Sequence, residues 1–120
     1  DANQVTVTNI IGEIKDKNVI LVDDMISTGT TMVEAARLCK ERGCADVYVA
    51  ATHGVFSGQS LQKMNVPEIS QIIFTDTIPP NYSQIDSTLQ KKAVILSVAE
   101  LLAKAILNIH DSRSVSSLFI

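Results

Sequence analysis

Val19-Ile20-Leu21-Val22-Asp23-Asp24-Met25-Ile26-Ser27-Thr28-Gly29-Thr30-Thr31 joins an aliphatic run to two carboxylates and then to a loop of small hydroxyl residues. The four aliphatics at 19–22 predict a strand buried on both faces, the kind found inside a parallel sheet. Asp23 and Asp24 end the run where such a strand reaches the sheet edge. After the loop the period turns helical, with Met32, Ala35, Ala36 and Cys39 on one side. A loop held between a strand and a helix N-terminus attracts an anion through its backbone N–H groups and the helix dipole. The hydroxyls of Ser27, Thr28, Thr30 and Thr31 can donate to phosphate oxygens, and Gly29 lets the backbone come close or take φ > 0. A carboxylate pair suits the vicinal hydroxyls of a sugar. Asp23, Asp24, Ser27, Thr28, Gly29, Thr30 and Thr31 therefore form a candidate cradle for a sugar phosphate. The stretch is neither a P-loop, lacking Gly-Lys-Ser/Thr, nor a dinucleotide fingerprint, lacking further glycines. On spacing alone, a solvated strand stop followed by a well-capped helix reads equally well.

Upstream, Val5 to Ile10 alternates with period two and predicts a first strand. Downstream, a helix over about 30–42 ends at Gly43, and Ala45 to Ala51 is the next strand, which makes a parallel crossover unit. Thr52-His53-Gly54 leaves the sheet at the edge of Asp23 and Asp24; His53 reads first as a loop histidine with a local hydrogen bond. A short helix at 60–64 and strands at 70–75 and 93–96 follow. Ser97 and Glu100 have capping-box spacing, and Val98, Leu101, Leu102, Ala105, Ile106 and Ile109 recur at helical spacing, a stripe that reads as core. The apolar tail Ser114 to Ile120 predicts an added strand or an interface. Residues 1–120 thus read as a single domain. Its expected fold is a mostly parallel five-stranded α/β sheet with helices on both faces and ligands at the C-terminal strand ends.

With 120 residues, 46% hydrophobic and 19% charged, the chain can bury one modest core. A net charge of -3 argues against general nucleic-acid affinity, and no stretch has the length of a membrane span. Cys39 and Cys44 lack neighbours at metal-ligand spacing and read as buried free thiols of a reducing compartment, the cytoplasm; no metal site is expected from these residues.

The loop at 23–31 resembles the phosphoribosyl pyrophosphate-binding motif of type I phosphoribosyltransferase folds. Asn9-Ile10-Ile11-Gly12, Ala51-Thr52-His53-Gly54-Val55-Phe56-Ser57-Gly58, Phe74-Thr75-Asp76-Thr77-Ile78-Pro79 and Ser114-Val115-Ser116-Ser117-Leu118-Phe119 resemble, in order, the C-terminal half of the ribose-phosphate pyrophosphokinases. That resemblance implies an enzyme moving the β,γ-pyrophosphoryl group of Mg-ATP to the 1-hydroxyl of ribose 5-phosphate. Residues 27–31 would hold the 5-phosphate and Asp23 and Asp24 the ribose hydroxyls. ATP, the main Mg²⁺ ligands and a catalytic Lys/Arg loop would come from sequence upstream, so no catalytic residue is assigned here and the fragment alone is expected to be inactive. Ser114, Val115 and Ser116 would match a regulatory phosphate site between subunits of a dimer or hexamer. The phosphate loop departs from many synthetases in having Ser27 for a carboxylate and its glycine one place earlier. Two rivals therefore stand beside the synthetase: a base-attaching phosphoribosyltransferase and a non-catalytic synthetase-associated subunit. Gly29→Val is expected to harm anion binding more than stability.

Overall fold

The computed structural model of the chain describes residues 9–119. Four strands, β1 (Val19–Ile26), β2 (Val47–Gly54), β3 (Gln71–Thr75) and β4 (Ala93–Leu96), pair in parallel in the order β1-β2-β3-β4. The register sets Leu21 beside Val49, Val49 beside Ile72, Ala51 beside Phe74 and Phe74 beside Ile95. Because side chains alternate along a strand, these residues share one face. Helix α1 (Thr30–Glu41) lays Met32, Val33, Ala36 and Cys39 onto it, and α2 (Ser60–Lys63) adds Leu61 with Met64 just beyond. That face is the core.

Helix α1 stops as its sequence dictates. Gly43 takes φ 80°, its N–H donates to the Lys40 carbonyl at 2.9 Å, and the Cys44 N–H reaches back to the Cys39 carbonyl at 3.2 Å. This is a Schellman ending, whose usual apolar contact is here supplied by two buried cysteines. Burial, and then the neighbouring Cys44, push the Cys39 thiol above its ordinary value. Cys39 is accordingly an inert packing group, and Cys44 is buried beside it.

The opposite face of the sheet differs from expectation. Ile20, Val22 and Leu96 are exposed, Val22 by 75%, and Tyr48, Ala50, Ile73 and Val94 are half-covered. Among the described residues helices cover one face, not two, and β1 is an edge strand rather than one buried on both sides. The expected strand at 5–10 falls mostly outside the described residues, and Asn9 and Ile10 carry no strand, so the described sheet has four strands.

Helix α3 (Ala99–His110) is also uncovered. Its stripe of Leu101, Leu102, Ile106 and Ile109 was expected in the core, yet no residue of α3 is buried and Ile106 is 66% exposed. The cause lies in the junction. The Val98 N–H donates to Asp76 Oδ1 at 2.8 Å and the Asp76 N–H to the Leu96 carbonyl at 3.1 Å, so the two-residue link from β4 is pinned and the helix leaves the sheet end. It packs chiefly against a 3₁₀ turn at Ser116–Phe119, which replaces the strand expected in the tail. The capping box does not form: the N-cap is Val98, with no side-chain cap, Ser97 Oγ accepts from the Ala99 N–H at 3.2 Å and Glu100 pairs with Lys104 at 2.7 Å.

A second turn, Leu89–Lys91, escaped the sequence reading. Asp86 Oδ1 accepts from Thr88 Oγ1 at 2.6 Å, from the Thr88 N–H at 2.9 Å and from the Leu89 N–H at 3.0 Å, seating a fully buried Leu89. The Thr88 hydroxyl, then the Leu89 N–H, hold the Asp86 carboxyl below the usual range. A carboxylate depressed in the folded state adds stability above its unfolded pKa and loses it as pH falls through the folded value. Melting temperature should therefore drop as pH is lowered from about 4, and Asp86→Asn should flatten part of that slope in thermal melts between pH 7 and 3. An unchanged slope would show that Asp86 takes no part.

Candidate functional site

Strand β1 runs on through both carboxylates to Ile26, farther than the sequence suggested. Adjacent strand residues face opposite ways. Asp23 therefore shares the face of Leu21, and Asp24 that of Ile20 and Val22. The Asp24 N–H donates to Asp23 Oδ1 at 2.8 Å, which turns that carboxylate back on its own strand end.

Beyond β1 the chain bends at Ser27 and Thr28 and enters α1 through Gly29, whose φ of 75° lies in the left-handed region. A Cβ there would also meet Met64 Cγ and Sδ at 2.6 Å. Glycine is thus required by conformation and by space. Among the described residues no side chain caps α1, and its first turn holds no acidic residue. A hydroxyl run serving only to cap the helix would place one of its oxygens on those N–H groups; here they are left to other acceptors, and the dipole adds its positive end.

Asp23, Met25, Ser27, Thr28, Gly29 and Thr31 line one hollow of about 160 Å³. Complete ligand clefts run from about 300 to 1,000 Å³, so this is a subsite with room for a phosphate group and little more. Five of the seven expected residues meet there; Asp24 and Thr30 do not line it. The loop is braced from the side by 55–57. The Val55 and Phe56 N–H groups donate to the Ile26 carbonyl and the Ser57 N–H to the Ser27 carbonyl, all at 3.0 Å, while the Ser27 and Ser57 hydroxyls lie 3.3 Å apart. Phe56 takes φ 43° to do this, and its ring stands edge-on to Phe74 at 4.7 Å. The bracing role of Ser57 was missed, although it sits in the Thr-His-Gly block that sequence reading had singled out.

The end of β2 builds a second polar group. His53 Nδ1 and Thr77 Oγ1 are 2.8 Å apart, and the Thr75 and Thr77 hydroxyls donate to the Thr52 carbonyl at 2.7 and 3.2 Å. His53 was expected to bond locally from a loop; it lies instead in β2, and its partner Thr77 follows β3, 24 residues on. In the tail, Ser114 Oγ and Ser116 Oγ are 2.7 Å apart and Asn108 Nδ2 donates to the Ser114 carbonyl at 2.9 Å, with no residue shared with the hollow. Among the described residues no cluster of His, Cys, Asp or Glu is arranged to hold a metal ion, and no helix is long and apolar enough to cross a membrane.

Residues 2–120 match the family model of the phosphoribosyl synthetase-associated domain. The chain belongs to that family. Curated relatives include the ribose-phosphate pyrophosphokinases of Caldanaerobacter subterraneus (45% identical, covering 98% of this chain and 36% of that protein) and Haemophilus ducreyi (42%, covering 98% and 36%). A solved structure, phosphoribosylpyrophosphate synthetase from Mycobacterium smegmatis, superposes with a TM-score of 0.73 at 37% identity, covering 85% of this chain and 33% of that one. The chain therefore spans about a third of the length of the relatives it matches. The four-stranded parallel α/β architecture of this family member agrees with that structure.

Proposed function

We propose that this chain is the acceptor-binding part of an enzyme that transfers pyrophosphate from ATP to ribose 5-phosphate, making phosphoribosyl pyrophosphate in the cytoplasm. The observation that carries the reading is the uncapped N-terminus of α1 closing a hollow with Asp23, Ser27, Thr28, Gly29 and Thr31. In this reading the α1 N–H groups and loop hydroxyls hold the 5-phosphate, and Asp23 accepts from the ribose hydroxyls. Asp24 and Thr30 act from outside the hollow. Pyrophosphoryl transfer asks for positioning and charge stabilisation more than covalent help, so an acceptor-holding segment needs no nucleophile of its own. The two carboxylates at the end of β1 face opposite ways and do not fit a resident metal site. Mg²⁺ belongs here as the companion of ATP, with its ligands outside these residues. Homo-oligomerisation as a dimer or hexamer and a regulatory part for Ser114, Val115 and Ser116 complete the proposal. Support for the synthetase over a base-attaching transferase is that the relatives named above are pyrophosphokinases or synthetases.

Calorimetric titration of this chain with ribose 5-phosphate in the presence of Mg²⁺ tests the reading. We expect saturable binding, reduced in Thr28→Ala. Asp23→Asn should weaken it by about 1–3 kcal/mol, the scale of a charge-assisted hydrogen bond, and Asp24→Asn by less because it lies off the hollow. A folded chain with no binding, or with binding indifferent to Thr28 and Asp23, would remove the acceptor subsite from these residues.

A further inference from the structure

A second cavity, of about 160 Å³, adjoins the segment that braces the loop and shares no residue with the hollow at 23–31. Part of its lining is apolar and buried: Leu61, Phe56 and Phe74, the two rings edge-on at 4.7 Å. Gly54 lets those rings lie against the strand backbone, because a Cβ there would run into both of them.

The rest of the lining comes from residues 78–85, a segment braced by its own hydrogen bonds. Pro79 and Pro80 fix their φ angles, and a 3₁₀ turn, Tyr82–Gln84, follows. The Gln84 carbonyl accepts from Gln62 Nε2 at 2.9 Å, and Gln84 Nε2 donates to the Gly58 carbonyl at 3.1 Å. Asn81 Oδ1 accepts from the Ser83 N–H at 3.2 Å and from Ser83 Oγ at 2.6 Å. A carbonyl needs a donor, so Gln84 must offer Gly58 its nitrogen; an N–H needs an acceptor, so Asn81 must offer Ser83 its oxygen. Among the described residues, Gln84 Oε1 and Asn81 Nδ2 are then left without a hydrogen bond. One acceptor and one donor stand uncommitted on two residues of the same cavity.

The lining chemistry narrows the occupant. No residue around the cavity carries a charge or a hydroxyl, so a phosphate, carboxylate or amine finds no counter-charge there. A sugar would find too few partners for its hydroxyls, and a hydrocarbon would leave both amides unpaired. A cavity of about 150 Å³ holds one benzene ring.

We infer that the cavity takes a nucleobase, entering by its six-membered ring. The ring lies on the apolar lining, its edge N–H donates to Gln84 Oε1, and the neighbouring edge acceptor receives Asn81 Nδ2. Unstacked bases are ordinarily held in this way, by apolar or aromatic surfaces together with hydrogen bonds to the ring edge. The remainder of a purine, or the attached sugar, extends outward past Val55 and Ile78, which are exposed. This subsite depends neither on which reaction the enzyme performs nor on the hollow at 23–31.

Titration of the isotope-labelled chain with uridine, followed through its amide chemical shifts, tests the assignment. Uridine should give saturable shifts centred on residues 54–56 and 78–85. Uridine methylated at N3 keeps the ring but loses the edge N–H, and should bind about tenfold more weakly, the scale of one hydrogen bond. Asn81→Asp keeps the oxygen that Ser83 needs and replaces the free donor by an acceptor. It should also weaken uridine about tenfold, with the melting temperature little changed, which a merely structural role for Asn81 would not produce. Absence of saturable binding by both uridine and adenosine would overturn the assignment. So would shifts centred elsewhere, or equal affinity for uridine and its N3-methyl derivative.

Discussion

Gly29→Val should destabilise the fold by about 2–6 kcal/mol as well as abolish anion binding. Two independent effects add. A β-branched residue at the φ of 75° found here is strained by about 1–3 kcal/mol. The new side chain also drives into Met64, fully buried and 2.6 Å from where a Cβ would sit, and overpacking of this kind costs about 1–3 kcal/mol. Against a total stability of about 5–15 kcal/mol for a domain, the variant sits close to unfolding. The spacing of the loop alone had suggested a defect of binding more than of stability; the contact with Met64 reverses that order. Urea denaturation of Gly29→Ala, which keeps most of the strain with a smaller clash, should give an intermediate loss. Equal stability of all three proteins would show that neither the strain nor the contact is real.

Phe74→Ala should have the second large effect, about 3–5 kcal/mol as for other buried aromatic truncations. Phe74 sits in the middle of the sheet between Ala51 and Ile95 and is almost completely buried. Its ring also supports Phe56 edge-on, and Phe56 belongs to the segment that braces Ser27. Truncation should therefore loosen the phosphate loop in whatever folded fraction remains. Phe74→Leu should recover much of the stability, with ligand affinity recovering less, because a branched aliphatic fills volume without reproducing the edge-on contact. If affinity follows stability in parallel, the Phe56 brace is not what shapes the loop.

Much of this was legible in residues 19–54 and less beyond them. The aliphatic run, the carboxylate pair and the change to helical period gave the β1–loop–α1 unit, because those signals are local. The same logic fixed the stop at Gly43 and placed β4 at its observed bounds. What the pattern could not supply was the identity of the covering body. A continuous aliphatic run says that Ile20 and Val22 suit a buried strand, and the stripe of Leu101, Leu102, Ile106 and Ile109 says that α3 has an apolar side. Neither says that the cover lies within the same 120 residues. The misreading of α3 as core came from assuming that it does, and the same assumption put helices on both faces. The turn carrying Leu89 was missed for another reason: its signal is one carboxylate, Asp86, gathering donors two and three residues ahead, which leaves no periodicity. At the site, five of seven expected residues line one hollow, while Asp24 lies off it because β1 extends through it and turns it to the other face.

Among the described residues no side chain satisfies the first N–H groups of helix α1, a deficit of about 1 kcal/mol relative to a well-capped helix. In the proposed enzyme the bound phosphate makes up that deficit, so occupancy and folding are linked: ligand at a hundred times its dissociation constant adds about 2.7 kcal/mol to the folded state. An organism that starves for the sugar phosphate would then hold less of this protein intact, its turnover by proteases rising as the pool empties. Supply of the substrate would thus help to set the amount of enzyme waiting for it.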